Sequence, residues 1–587
     1  MRPAWIVALA LLAAPAAAAS GTDAGVGAAD ARLRALYTAE YAWRKQQLPP
    51  SEDDDKGSAR SLPDVGPAAQ AAKLARWTQT AAALAAIRPA ALSPAARVDY
   101  GVYAEQIRAL LAAQRFRDYE MPLTSDSSFW SDLADQAREP FARAEDYARY
   151  LNMLRTVPGY FDQNIANMRA GLARGFTPPK VTLTGRDIGV AQVVAAGAGE
   201  ASPFYAPFRT MPATMPAATQ AKLRAEALAA LRDAVVPAHR RLLAFLRDEY
   251  IPGARTSLAA YDLPDGRAYY QSKVAEYTTR DQTPEQVHAI GVAEVARIRA
   301  RMQQVMTTVG FTGDLPAFLA MLRRDPRFYA KTPQALLDRA AWIAKSFDGK
   351  AARYFGRLPR ARFAIKPVPA DLAPFYTSGR GGPGVYLVNT YDLPSRALYA
   401  LPALTLHESA PGHAFQMPLA AENRDLPAFR RETYLSVYGE GWALYCEALG
   451  EEIGMYETPY DLFGMLSYQS WRASRLVVDT GIHAMGWSRD RAQAYLRENT
   501  ALADHEIETE VDRYIAWPGQ ALSYYTGELA IVAARRRAEA ALGPRFDIRA
   551  FHDTVLALGS VPMPELDRRI DAFIAEGGKG PYPAEDR

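Results

Sequence analysis

The chain has 587 residues, 49% of them hydrophobic and 23% charged, with a formal net charge of +3. This is the balance of a globular protein with a large core, and it gives no bulk charge for holding nucleic acid or an anionic membrane. A single cysteine, Cys446, excludes an internal disulfide framework.

The N-terminus carries Arg2, an apolar run over 4–14 and the small residues Ala16 to Ala19. This pattern predicts a secretory signal peptide over residues 1–19, with an apolar core too short to span a bilayer. The expectation is an exported chain, periplasmic or secreted, starting near residue 20. No cysteine follows the cleavage region, which argues against a lipid anchor. No later stretch is long and apolar enough for a span.

Beyond the leader the sequence reads as helical. Ala-, Leu- and Arg-rich segments at 29–48, 67–87, 95–116, 140–156 and 219–249 carry helical spacing. Thr283-Pro284-Glu285-Gln286 marks a helix start with Thr at the N-cap, Pro at N1 and Gln at N3. The apolar face Val287, Ile290, Val295, Ile298 and Met302 follows it. Loops are predicted at 49–67, 175–180 and 203–216. Residues 362–392 differ, because β-favouring runs at 363–365 and 385–389 flank Gly381-Gly382-Pro383-Gly384. They predict short strands forming a hairpin. An exposed edge at 385–390 would let an extended peptide add as a further strand.

His407-Glu408-Ser409-Ala410-Pro411-Gly412-His413 follows. It resembles the zinc-hydrolase signature H-E-x-x-H with residues inserted before the second histidine. In the ordinary form two His, four apart on one helix face, bind the metal and the Glu acts as general base. A spacing of six turns the rings apart by about 120° on a regular helix. The helix must break or bulge, and Pro411 and Gly412 supply the residues for it. Further on, Glu440 opens the segment Glu440-Gly441-Trp442-Ala443-Leu444-Tyr445. It resembles the segment that gives the third, glutamate ligand in the aminopeptidase branch of the zinc peptidases. One Zn²⁺ per chain is expected, held by His407, His413 and Glu440 with one position open. Glu447, two turns along the same face, is the alternative ligand or a hydrogen-bond acceptor for a ligand histidine. Cys446 reads as a packing residue of that segment.

These motifs resemble the bacterial family of domain of unknown function 885, characterised by H-E-x-x-P-G-H. The matching stretches also include Asn167-Met168 with Gly171, Tyr269-Tyr270 and Tyr376-Thr377-Ser378-Gly379-Arg380. Asp479-Thr480-Gly481-Ile482-His483, Pro518-Gly519-Gln520-Ala521 with Tyr524 and Gly527, and Gly559-Ser560-Val561-Pro562 complete them. The resemblance implies a relation to zinc-dependent carboxypeptidases and oligopeptidases, and hydrolysis of peptide or amide bonds. Tyr525 stands where many relatives would carry Lys, so a cation at that position does not carry over.

The catalytic candidates are Glu408 as general base, with His483 and Tyr524 as donors to the oxyanion. Asp479, four residues before His483, is placed to orient its ring. Arg380, Tyr386, Gln520 and Tyr525 are the substrate-contact candidates, and Arg513 is a weaker one for a peptide terminus. The expected fold is mainly α, a large α-rich zinc-peptidase-like architecture with a deep cleft and one small β-sheet edging the active site. Residues 20–350 would wall the cleft and 351–587 form the zinc-binding region, interwoven with it. The expected activity is hydrolysis of short peptides rather than folded proteins. A metallo-amidase on a modified amide, or an inactive binding protein of the same fold, are the alternatives.

Overall fold

The computed structural model describes residues 20–47 and 61–583 apart from 126, 139–140 and 371–372. The signal-peptide reading, and much of the 49–67 loop, lie outside the described residues. The described chain is mainly α-helical, with one three-stranded sheet. Among the described residues, no helix is long and apolar enough to cross a membrane.

The N-terminal helices follow their local signals. Pro67–Ala85 and Pro94–Phe116 match the segments read from spacing, the last capped by the Ser93 hydroxyl, whereas Ser20–Gln47 begins well before the expected start at 29. Ala144–Ala173 runs through Pro158, well past the expected end at 156. One buried face of that helix (Tyr147, Leu151, Leu154, Phe161, Ile165, Met168) makes tertiary packing outweigh the proline. The Thr283 capping box is formed: its hydroxyl accepts from Gln286 N–H, and the Gln286 side chain accepts from Thr283 N–H. The Pro284–Thr308 helix then packs along the longer helix Pro459–Met485.

Apolar cores join distant segments. One core brings Trp77 and Tyr103 together with Phe347, Trp442 and Phe551. A second joins Tyr270, Ile298 and Phe318 to Phe463 and Leu476. Residues on both sides of position 350 thus share the same interiors. A further core, with Phe161, Phe208 and Leu242, is drawn from residues 62–254 alone.

The sheet differs from the expected hairpin. Strands β1 (Ala364–Pro367), β2 (Gly379–Gly382) and β3 (Val385–Val388) lie in the order β1-β3-β2. The glycine segment read as a turn is itself strand β2, antiparallel to β3 across Pro383-Gly384. Gly384 takes the positive φ of 80° that this tight reversal needs. β1 pairs parallel to β3 on its other side. The 385–390 segment is therefore the central strand, not the exposed edge expected from sequence. Both its backbone edges are occupied, so no peptide can add there.

Candidate functional site

Two short helices carry the histidines. The first, Leu401–Glu408, is buried along its whole length and ends at Glu408. The second, His413–Glu422, starts at the second histidine. The chain breaks between them at Ser409 (φ −100°, ψ −112°) and Gly412 (φ −74°, ψ −133°). A Cβ at position 412 would lie 1.8 Å from the His407 carbonyl oxygen, so only glycine permits this tight path. The break undoes the rotation of the six-residue spacing. The two imidazole centroids come within 4.9 Å, with ring planes at 84°. Trp442 fixes the crossing, its indole N–H donating to the Pro411 carbonyl at 2.8 Å.

Glu440 enters from the helix Ser436–Ile453. Its Oε2 lies 3.4 Å from His407 Nε2 and 3.3 Å from His413 Nε2. In a tetrahedron with metal–ligand bonds of about 2.0–2.1 Å, neighbouring ligand atoms stand about 3.3–3.4 Å apart. The two measured edges have that length. The donor set of two imidazoles and one carboxylate is also the chemistry of a zinc site with one position open. These residues fit a tetrahedral metal ion.

Glu447, fully buried on the same helix, approaches His407 from the opposite ring atom, its Oε1 2.7 Å from Nδ1. It therefore sets the tautomer and orientation of His407, leaving Nε2 toward Glu440. The Tyr434 hydroxyl donates to Glu440 Oε1 at 3.0 Å. Sequence reading missed Tyr434; it belongs to no motif and reaches the site only because the chain turns just before the Glu440 helix.

His407, Glu408 and His413 form a buried cluster whose potential ligand atoms lie within 4.8 Å of one another. Glu408 is distinguished from Glu440 by its partner. Its Oε2 accepts the Gly381 N–H of β2 at 2.6 Å, rather than bridging the two rings. A Cβ at 381 would fall 1.7 Å from the Glu408 carbonyl oxygen, so β2 approaches this closely only through glycine. Burial pulls the His407 pKa down, but the carboxylates of Glu440, Glu447 and Glu408 outweigh it and raise it to about 9. Burial pushes Glu440 up, and the two histidines hold it well below the usual carboxylate range. The pocket carries more carboxylate than its imidazoles balance.

The remaining candidates separate. Tyr524 is at the site, its ring 6.5 Å from His407 and nearly parallel to it at 18°. His483 is not available to a substrate. It is fully buried; its Nδ1 accepts the Ala260 N–H at 3.2 Å and its Nε2 contacts the Tyr514 carbonyl at 2.8 Å. Burial lowers its pKa to about 3, so it is a neutral core histidine rather than an oxyanion donor. Nor does Asp479 orient that ring; it accepts from the Tyr270 hydroxyl at 2.5 Å and from the Gly519 N–H. Burial raises the Asp479 carboxyl to about 7. The 479–483 motif thus ties together chain segments rather than supplying chemistry.

Tyr386 does not reach a substrate position either. It faces the core from β3, fully buried, with its hydroxyl 3.4 Å from Thr405 Oγ1. Tyr525, beside Tyr524, points to the opposite flank of its helix, where its hydroxyl donates to Glu294 at 2.9 Å and accepts from Arg297. Gln520 is buried and bridges Arg513 to Ser436. None of these three faces a substrate in this arrangement. Arg380 lies on β2 with its side chain exposed.

Fold and site define an α-helical protein with a buried His-Glu-His cluster at a helix break, closed by a glutamate from a third helix. The chain belongs to the family described as bacterial protein of unknown function (DUF885), whose profile matches residues 26–570. It is similar to the crystal structure of a protein described as a candidate lipoprotein from Colwellia psychrerythraea. The identity is 26% and the TM-score 0.84, covering 94% of this chain and 99% of that one. A second protein, described as a candidate lipoprotein of unknown function from Shewanella oneidensis, shares the fold at 18% identity and TM-score 0.69. That match covers 92% of this chain and 98% of the other. No functionally curated protein matches.

Proposed function

We propose that this protein is an exported, zinc-dependent peptidase acting on short peptides. The observation that carries the reading is one carboxylate oxygen, Glu440 Oε2, shared at 3.4 and 3.3 Å between the Nε2 atoms of His407 and His413. His407, His413 and Glu440 would hold the ion. When bound, zinc supplies Lewis-acid polarisation of the scissile carbonyl and makes water a nucleophile at neutral pH.

The chain's own residues do the rest. Glu408 accepts a proton from the attacking water and returns one to the leaving amine, which balances the hydrolysis. The Gly381 N–H keeps one oxygen of Glu408 occupied, so the carboxylate is held in one orientation. Glu447 fixes His407 and Tyr434 steadies Glu440. Tyr524, parallel to the His407 ring, is the remaining candidate donor to the developing oxyanion. The recessed position of the cluster, with His407 2% and His413 7% exposed, favours small flexible substrates over folded proteins. Export rests on the leader pattern of residues 1–19, and the description of the structural relatives as lipoproteins is in keeping with it.

The test is metal analysis of the purified protein, followed by incubation with a mixed library of short peptides and with a folded protein. Near-stoichiometric zinc and cleavage of peptides, lost on chelation and restored by zinc, is the expected result. Absence of bound zinc after loading, or efficient cleavage of the folded protein alone, overturns the reading.

A further inference from the structure

The helix Pro459–Met485 carries a buried cation that no described residue pairs with. Arg472 is 4% exposed, and among the described residues it takes part in no ion pair and no hydrogen bond to its Nε or Nη1. Its neighbour one turn on, Arg475, differs. That guanidinium donates to Glu510 at 2.8 Å and to the Tyr514 hydroxyl at 3.1 Å. Arg472 instead lies among aromatic rings, 3.6 Å from the Trp471 centroid, 4.9 Å from Tyr468 and 5.9 Å from Tyr524. Such rings stabilise the flat face of a guanidinium. They leave Nε and Nη1 without a hydrogen bond, because the N–H groups point outward in the plane. A buried charge with open donors is costly unless an anion completes it.

The position of Arg472 says where that anion comes from. Tyr468, Arg472 and Arg475, spaced four and three apart, share one helix face. Tyr524 connects this face to the histidines, because the ring whose centroid lies 5.9 Å from the Arg472 guanidinium and 4.3 Å from that of Arg475 is the ring nearly parallel to His407. At the other end Tyr468 lines a pocket, partly open to solvent, together with Leu401 and Leu404 of the His407 helix and Ser378 beside β2. Leu401, Leu404 and Glu408 fall on one face of their helix, so the pocket opens on the helix side that carries the proposed base, one to two turns before it.

We propose that Arg472 binds the free terminal carboxylate of the peptide substrate, which makes the protein an enzyme of the carboxyl end. The proposal rests on the peptidase reading above and deepens it. A planar guanidinium takes a carboxylate through two parallel charge-assisted hydrogen bonds. Nε and Nη1 are sealed from solvent, so binding turns the half-buried Tyr468 ring aside and leaves Tyr524 in place.

Binding is measured by calorimetry on zinc-loaded Glu408→Gln protein, which does not depend on turnover. The probes are N-acetylated tetra-alanine as the free acid and as its C-terminal amide. The free acid is expected to bind roughly 10–100-fold more tightly than the amide. In Arg472→Met that ratio should fall to near one, and in Arg472→Lys, which keeps the charge but loses the fork, to an intermediate value. Thermal melts of both variants confirm that they are folded. Equal affinity for the two probes, no binding of either, or a preference that survives in a folded Arg472→Met protein, overturns the proposal. If the free acid is preferred through Arg472 while wild-type protein cleaves no peptide, the carboxylate site stands and the peptidase reading fails.

Discussion

Glu408 and Glu440 are both carboxylates at the same two rings, and what separates their roles is the partner of each oxygen. Glu440 Oε2 is shared by the two Nε2 atoms, whereas Glu408 Oε2 is taken by a backbone N–H of β2. Glu408→Gln is therefore expected to keep its zinc and its fold, yet lose about 10²–10⁴ in kcat, the contribution of a positioned acid–base group. Activity within about threefold of wild type would remove Glu408 from its role. Glu447 touches His407 through Nδ1 and no metal position, so Glu447→Gln should weaken zinc binding by about 10–100-fold in a competition titration with a chelator. Wild-type affinity in that variant would show that His407 needs no orienting partner. His483 makes the contrary case. Its replacement by Ala strands the Ala260 N–H and the Tyr514 carbonyl in the core, at about 1–3 kcal/mol for each unsatisfied group. Denaturant melts should report that loss, while zinc content stays at the wild-type level. A variant of normal stability that lost activity would restore His483 to the catalytic set.

Elements decide how these side chains meet. The Glu440 helix lies against Ser523–Leu542 at a contact with no room for side chains. A Cβ on Gly527 would lie 1.9 Å from the Val437 carbonyl oxygen, and one on Gly441 would lie 2.5 Å from Gly527. This crossing sets the depth of Glu440 and the height of the Tyr524 ring together. Gly527→Val is expected to destabilise by at least the 1–3 kcal/mol typical of overpacking. It should also lower zinc affinity, because the Glu440 helix is pushed away from the histidines. An unchanged melting midpoint and zinc affinity would mean the crossing is softer than its geometry indicates. The same pair of neighbouring residues shows why element geometry outweighs motif membership. Tyr524 and Tyr525 are adjacent, but a rotation of about 100° per residue sends one to the histidines and the other to Glu294. Sequence reading could select both and could not choose between them.

At the scale of the whole molecule, the site is built where separate parts of the chain converge. The histidines come from 401–422, Glu440 and Glu447 from the following helix, Gly381 from the sheet and Tyr524 from residues near the C-terminal end. A metal that bridges several of these elements ties folding to binding. Zinc at a hundredfold excess over its Kd should add about 2.7 kcal/mol of stability, read as a rise in the melting midpoint. The rise should vanish in His413→Ala. An equal rise in that variant would place the metal elsewhere.

Much of this protein is determined by local sequence. Helix starts at Ser93 and Thr283 are set by side chains within three residues of the backbone groups they satisfy, so they are legible without any tertiary information. The cluster of His407, Glu408 and His413 is legible for the same reason, since a six-residue spacing with Pro and Gly between admits few outcomes other than a break. Family membership, carried by strings of residues, is legible too. Tertiary structure alone decided the rest. Strand order depends on which edge finds a partner, and the glycines of β2 signal a turn as readily as a strand. Whether a histidine is catalytic or core depends on what occupies its two nitrogens, and for His483 those partners lie 223 and 31 residues away. Arg472 is one arginine among many in sequence. Only the absence of a counter-ion around it among the described residues, a property of the packed molecule and not of any segment, sets it apart.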